Sequence, residues 1–263
     1  MVVRDVSQGQ ILRYEVWQGE QRLALLEGQR LEPALWRFDR WDVSDGSKRE
    51  AVRTDIVTFL GRQGRQHSPE LLSGDRETQA EINALIEQAG WQIDRRKVFV
   101  RRELVERPGT KPVLTLLSLA EVGREHFVAA LLAASQGDPF ETSTAESAEA
   151  DFDALIEGAG EQFDPAGWFV ARHSGEEVGV LLPQLFPDEP SVGTLFYVGV
   201  SPQFRARGLG TALHAEGLRQ LQLKGAGQYK GSTDVRNGAM RRVFAANGCR
   251  EIYQQWFYRF VNS

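Results

Sequence analysis

The chain has 263 residues with 31 basic and 36 acidic side chains, a net charge of −5, and is 41% hydrophobic and 25% charged. These are the proportions of a soluble globular protein and exclude collagen-like and disordered classes. A single cysteine, Cys249, excludes an intramolecular disulfide or a cysteine-rich zinc site and points to a reducing compartment. The start, Met1-Val-Val-Arg-Asp, lacks an apolar leader core, and the longest nearly apolar stretch, Val113 to Ala120, is too short to span a bilayer. A cytoplasmic protein without membrane contact is expected.

Charge is unevenly spread. Residues 1–112 carry 19 basic and 18 acidic side chains, whereas 113–263 carry 12 and 18. Between Asp138 and Glu161 eight carboxylates occur with no Lys or Arg, which repels a duplex nucleic acid. That run reads either as a solvated loop and helix face or as an acidic rim that steers a cationic substrate.

In chain order, Ile11–Trp17 and Arg22–Leu26 form a hairpin, followed by a strand at Leu35–Trp41. Ala51, Val52, Ile56, Phe59 and Leu60 have helical spacing, with Ser47 as the N-cap and the helix ending around Gly61–Gly64. A second helix, Thr78–Ala89, stops at Gly90 before a strand at Lys97–Arg102. Arg107-Pro-Gly-Thr-Lys-Pro112 interrupts both periodicities and marks a domain boundary. Beyond it come a strand at Val113–Ser118 and helices at Leu119–Ser135 and Glu146–Gly158. A hairpin of Trp168–Arg172 with Val178–Leu182 and a long strand at Val192–Val200 follow. Next are a helix at Gly208–Lys224, a strand at Gly231–Asp234, a helix at Asn237–Asn247 and a last strand at Ile252–Phe260. This order predicts an α+β fold with a mixed sheet. The halves also resemble each other: Ala89-Gly-Trp-Gln-Ile ahead of Val98-Phe-Val matches Asn247-Gly-Cys-Arg-Glu ahead of Trp256-Phe-Tyr at an offset of 158.

The chemistry concentrates in Val198-Gly-Val-Ser-Pro-Gln-Phe-Arg-Ala-Arg-Gly-Leu-Gly210, where an apolar strand passes through an arginine-rich turn into a helix. Amides at a helix start lack intrahelical acceptors and lie at the positive end of the dipole, so they suit a diphosphate. Gly208 and Gly210 remove Cβ atoms that would hold phosphate oxygens away, and Arg205 and Arg207 add charge and forked donors. A Walker loop is excluded because no Lys-Ser or Lys-Thr follows, and Leu213 stands where a dinucleotide fingerprint needs a third glycine.

Together with Asn237-Gly-Ala-Met-Arg-Arg-Val-Phe-Ala-Ala-Asn-Gly-Cys249, this segment resembles the GCN5-related N-acetyltransferase (GNAT) family, over residues 113–263. The resemblance implies two tandem domains with the mixed-sheet acyl-CoA N-acyltransferase fold. Residues 1–107 would be a degenerate copy without a pyrophosphate loop, and 113–263 the acetyltransferase domain. It further implies acetyl-CoA as co-substrate, with its pyrophosphate on the backbone of Arg205, Ala206, Arg207, Gly208, Leu209, Gly210 and Thr211. The pantetheine arm would lie along Val198, Gly199 and Val200, and Asn237 would touch it from the far side.

The implied reaction is acetyl transfer to a primary amine of a small molecule or protein by direct attack in a ternary complex, with a non-catalytic acyl-CoA sensor or scaffold as the alternative. Phe244, also placed beside the cofactor, stands where the family often has a tyrosine acid. Tyr197 ranks first as its substitute, with Tyr229 or water behind it. Asp188, Glu189 and Asp234 are the carboxylates considered for the amine proton. His67, His126, His173 and His214 show no metal-ligand spacing, so no metal is expected.

Overall fold

A computed structural model describes residues 1–74, 79–104, 114–140 and 143–261. The chain divides into two compact units, Met1–Val98 with Tyr253–Ser263, and Phe99–Ile252. By contacts the end of the chain, Tyr253–Ser263, groups with the first half, where the sequence alone divides the chain into 1–107 and 113–263. The expected linker at 107–112 lies outside the described residues, as do Val113 and Thr78, the expected first residues of a strand and a helix.

In the first unit the strands are β1 (Val2–Asp5), β2 (Ile11–Gln18), β3 (Gln21–Glu32), β4 (Leu35–Val43) and β5 (Glu70–Gly74). Helix α1 (Arg49–His67) joins β4 to β5, and α2 (Ala80–Gln88) leads into β6 (Trp91–Glu103), which runs on into the second unit. β1 to β4 pair in antiparallel succession, β4 and β5 run parallel, and Gln255–Tyr258 of the chain's last strand add antiparallel to β5. Val52, Ile56 and Leu60 of α1 and Ile82, Leu85 and Ile86 of α2 are buried with Tyr14, Phe38 and Trp91.

Two expectations change here. Ser47 does not cap α1: it lies in a short 3₁₀ turn, Gly46–Lys48, that Asp45 caps, its carboxylate accepting from the Ser47 N–H at 3.0 Å and from Ser47 Oγ at 2.6 Å, while Lys48 stands at the N-cap of α1 without a side-chain cap bond. The helix also runs through Gly61 and Gly64 to His67. Those glycines permit close approach rather than ending the helix: a Cβ on Gly64 would lie 2.1 Å from the Phe260 ring.

In the second unit β7 (Thr115–Ser118) leads into α3 (Leu119–Val122) and α4 (Arg124–Ser135), then α5 (Ala148–Ala159). The single helix expected over Leu119–Ser135 is broken at Gly123, which has φ +80°. A capping box between Ser118 and Glu121 starts the first piece. β8 (Phe169–His173), β9 (Glu176–Phe186) and β10 (Glu189–Val200) form an antiparallel meander. α6 (Leu209–Leu223) then crosses to β11 (Gln228–Asp234), and α7 (Gly238–Ala246) leads to β12 (Arg250–Phe260).

β9 is buried on both faces, and a register shift at Val178 interrupts its alternation. Val180 and Leu182 pack with α4 and α5, while Val178 and Leu181 pack with Leu209 and Leu213 of α6. Helices therefore cover both faces of this sheet.

Candidate active site at the β10–α6 turn

β10 carries the groove because its two edges are treated differently. On the β9 side the register skips between Leu195 and Val198, inserting one extra residue. Consequently Phe196 and Tyr197, although adjacent, both pack toward α4 and α5, whereas Leu195, Val198 and Val200 pack toward α6. On the other side β11 pairs in parallel only at Val192–Gly193 with Gln228–Tyr229. Beyond that point, among the described residues, no strand pairs with this edge, and Leu195 to Val200 are each partly exposed despite being apolar.

The direction of the exposed groups follows from the ladder. The Ser201 N–H donates to the Val178 carbonyl at 2.9 Å. By alternation Gly199 also bonds β9, and the backbone groups of Val198 and Val200 point into the split.

At the end of β10 a short 3₁₀ turn, Pro202–Phe204, feeds the bend before α6. Ala206 has φ +60° and Gly208 φ +80°. Left-handed backbone costs roughly 1–2 kcal/mol at a residue with a Cβ, so strain is held at the turn itself. Gly208 is the N-cap and offers no side chain to the helix start; a Cβ there would meet nothing within 4 Å. Among the described residues no protein acceptor takes the amides of residues 206–211. The bend is open and its donors are free, which is what an anion at a helix start requires.

The side chains divide differently from expectation. The Arg205 guanidinium is spent on carbonyls: Nε donates to Val200 at 2.8 Å, and Nη2 to Ala134 at 3.0 Å and Gln136 at 2.7 Å. It braces the bend and is not a free fork for phosphate. Arg207 is exposed over the Phe204 ring, 5.6 Å from its centroid, and remains available. Leu209 is buried in the cluster that holds Leu213. Asn237 caps α7, its Oδ1 accepting from the Met240 N–H at 3.0 Å, which leaves only its amide nitrogen for a ligand.

Phe244 is 2% exposed in a core with Tyr229 and Leu218, so its expected place beside a cofactor does not hold. The Tyr197 ring lies over Gly199: a Cβ there would be 2.9 Å from its hydroxyl oxygen. The hydroxyl is thus on the partly exposed stretch of β10. Tyr229 is withdrawn instead, 2% exposed, its hydroxyl against His214 and its pKa raised by burial and by Cys249. Glu189 bonds Lys230 at 2.8 Å, and Asp234 is engaged by Arg236 at 2.9 Å, so neither is an unoccupied base. Asp188 sits on the exposed turn before β10.

Sequence reasoning missed the support beneath the bend. Asn247 Nδ2 donates to the Thr211 carbonyl at 3.1 Å and to His214 Nδ1 at 3.0 Å. This ties the end of α7 to the first turn of α6. His214 is fully buried, and burial, reinforced by the Arg102 charge, lowers its pKa to about 3. Burial likewise pushes the Cys249 thiol up to about 11, so it is a packed apolar group and not a nucleophile. Among the described residues no three His, Cys, Asp or Glu side chains group as metal ligands, and no helix is long and apolar enough to cross a membrane.

The site thus combines a split parallel strand pair, a bulge at its centre and an open amide bend at its mouth. Residues 128–248 match the family described as Acetyltransferase (GNAT) family. The chain is 34% identical over 90 residues to a mycothiol acetyltransferase of Thermobispora bispora, covering 33% of this chain and 30% of that protein. It is 35% identical over 97 residues to one of Streptomyces avermitilis, covering 37% and 31%. These matches span about a third of the relatives' length. A GCN5-related N-acetyltransferase from Sphaerobacter thermophilus superposes with a TM-score of 0.59 at 19% identity, over 95% of this chain and 80% of that one. A tandem GNAT protein from the clavulanic acid biosynthesis pathway gives 0.53 at 16% identity, over 96% and 84%. The likeness in fold thus extends across both halves.

Proposed function

We propose that the second unit binds acetyl-CoA and transfers its acetyl group to a primary amine of a small molecule or protein by direct attack in a ternary complex. The observation that carries this is the open row of acceptor-free amides at residues 206–211, at the mouth of the β10–β11 split. The diphosphate occupies that row, with Arg207 adding charge from the rim. The amide-bearing arm pairs with the Val198 and Val200 edge as an added strand would. Acetyl as the group moved follows the name of the mycothiol acetyltransferase relatives.

The amine nitrogen attacks the thioester carbon, a C–N bond forms, and the carbonyl electron pair moves onto oxygen, where a β10 amide stabilises it. Collapse breaks the C–S bond, and the departing sulfur takes a proton from the Tyr197 hydroxyl or from water. A thiol with a pKa near 8.5 leaves tolerably without an acid. With Glu189 and Asp234 committed to Lys230 and Arg236, the amine's proton goes to solvent.

Calorimetric binding of acetyl-CoA together with CoA release across a panel of amines tests this reading. Binding with turnover on at least one amine is expected, and Tyr197→Phe is expected to lower kcat by up to about 10² with affinity retained. Tight binding with no turnover on any amine would assign the sensor reading instead.

A further inference from the structure

The loop after α4 does not hang free beside the groove. Asp138 N–H donates to the Ser135 carbonyl at 3.1 Å, and the Asp138 carboxylate accepts from the Phe140 N–H at 2.9 Å, so the loop is ordered from within. Its two ends are held by arginines from opposite sides of the split. At one end Arg205, which also bonds the last carbonyl of β10, holds the carbonyls of Ala134 and Gln136. Gly137, at φ +66°, lies against the same guanidinium, since a Cβ there would be 3.7 Å from Nη1. At the other end Arg236, two residues past the end of β11, sits over the Phe140 ring, 5.4 Å from its centroid. Asp234 aims that arginine, accepting from its backbone N–H, its Nε and its Nη2.

β10 and β11 are parallel and pair only near their beginnings, so Val200 and Asp234 mark the two sides of the open end. Gln136 to Phe140 runs from one side to the other, four peptide steps with a reach of roughly 13 Å. α4 lies on the sheet face opposite α6, and the loop inherits that face. The mouth is therefore bounded by the α6 bend on one face and by this loop on the other.

We propose that Gln136–Phe140 is a strap across the mouth of the split, and that Phe140 and Arg236, by clasping it, are positioning residues that retain the arm of a bound acyl-CoA. This rests on the acetyl-CoA reading above. Cofactor exchange then requires the clasp to open, and the clasp is a cation–π pair between an exposed arginine and a half-buried ring, a contact of modest strength.

The test is a double-mutant cycle of Phe140→Ala and Arg236→Ala, read by stopped-flow dissociation of acetyl-CoA and by hydrogen exchange of the amides of residues 136–140 in ligand-free protein. Each single change is expected to speed dissociation roughly two- to five-fold, and the double change no further, because both remove one contact. Phe140→Tyr keeps the ring and should restore the wild-type rate. Exchange at 136–140 in the ligand-free Arg236→Ala protein should rise by a similar factor. Unchanged dissociation in both single variants, a double effect equal to their product, or unchanged exchange would each overturn the proposal. A wild-type chain that fails to bind acetyl-CoA would instead overturn the parent reading and the retention role with it, while exchange still decides whether the clasp exists.

Discussion

Gly208→Asp puts the amide-cradle assignment at greatest risk. The residue sits at φ +80° with nothing within 4 Å of the position its Cβ would take, so a side chain fits in space but not in conformation. The left-handed backbone costs roughly 1–2 kcal/mol for a residue with a Cβ, least for Asn and Asp. Against this, an aspartate at the N-cap satisfies a free amide and meets the positive end of α6, recovering roughly 0.5–1 kcal/mol. The fold should therefore melt within a few degrees of wild type. Binding should not survive, because the carboxylate enters the space left for the diphosphate. One like-charge pair at about 4 Å near a protein surface costs about 4 kcal/mol, a factor of about 10³ in Kd. Gly208→Ala carries the backbone cost without the charge and should weaken binding only about ten-fold or less. Isothermal titration with acetyl-CoA, beside a thermal melt, separates the two, and the Asp penalty should shrink as salt is raised. An Asp variant that binds within a few-fold of wild type while remaining folded would refute the cradle.

Three further outcomes follow from the same geometry. His214 is neutral in the fold with a pKa of about 3 and ordinary when unfolded, so the unfolded chain binds the extra proton. Stability should be full above about pH 6.5 and fall by up to about 1.4 kcal/mol per unit as the pH drops toward 3; urea midpoints at pH 7 and 5, with His214→Gln as the flattened control, check this. Arg205→Ala orphans three carbonyls and should lower stability by about 2 kcal/mol or more, whereas Arg207→Ala should leave the melt alone and weaken acetyl-CoA in a salt-dependent way. Gly64→Ala should destabilise the first unit by roughly 1–3 kcal/mol, because the new methyl meets the Phe260 ring at 2.1 Å, with acetyl-CoA affinity unchanged by titration.

The elements legible in the sequence were those with a local cause. The hairpin at Gln18–Gln21, the helix start at Asn237 and the Gly208 bend each depend on residues within a few positions, and each stands where its pattern put it. What was not legible depended on distant partners. Gly61 and Gly64 read as a stop because a glycine's usual local meaning is a break, yet here Ala89 and Phe260 lean on the helix from far along the chain. Arg205 read as a phosphate ligand because charge beside a glycine-rich turn suggests one; its carbonyl partners at 134 and 136 are some seventy residues away. Phe244 read as lining the groove from its motif position, whereas the ring packing with His214 that buries it comes from the other helix. Short strands such as β1 and β5 carried too little pattern to register at all.

The first unit places a carboxylate at the turn that corresponds to the second unit's open bend. Its β4 and β5 are parallel and pair over only Leu35–Arg37 and Glu70–Leu72, the same split arrangement as β10 and β11, and a helix likewise follows β4. Where the second unit leaves amides open, however, the first supplies its own anion. Asp45 accepts from the Ser47 amide and hydroxyl, and those two bonds hold its carboxyl below the usual range. Lys48, the N-cap of α1, is turned to Gln18 at 2.7 Å, and the approach to the helix holds the single Gly46 with no Gly-x-Gly pair. A diphosphate arriving there would face a fixed negative charge in the place its oxygens need. Calorimetry should accordingly return one acetyl-CoA per chain, abolished by Gly208→Asp and untouched by Asp45→Asn. Two equivalents, or one that survives Gly208→Asp, would place a working cradle in the first unit and undo the argument that a single carboxylate closes it.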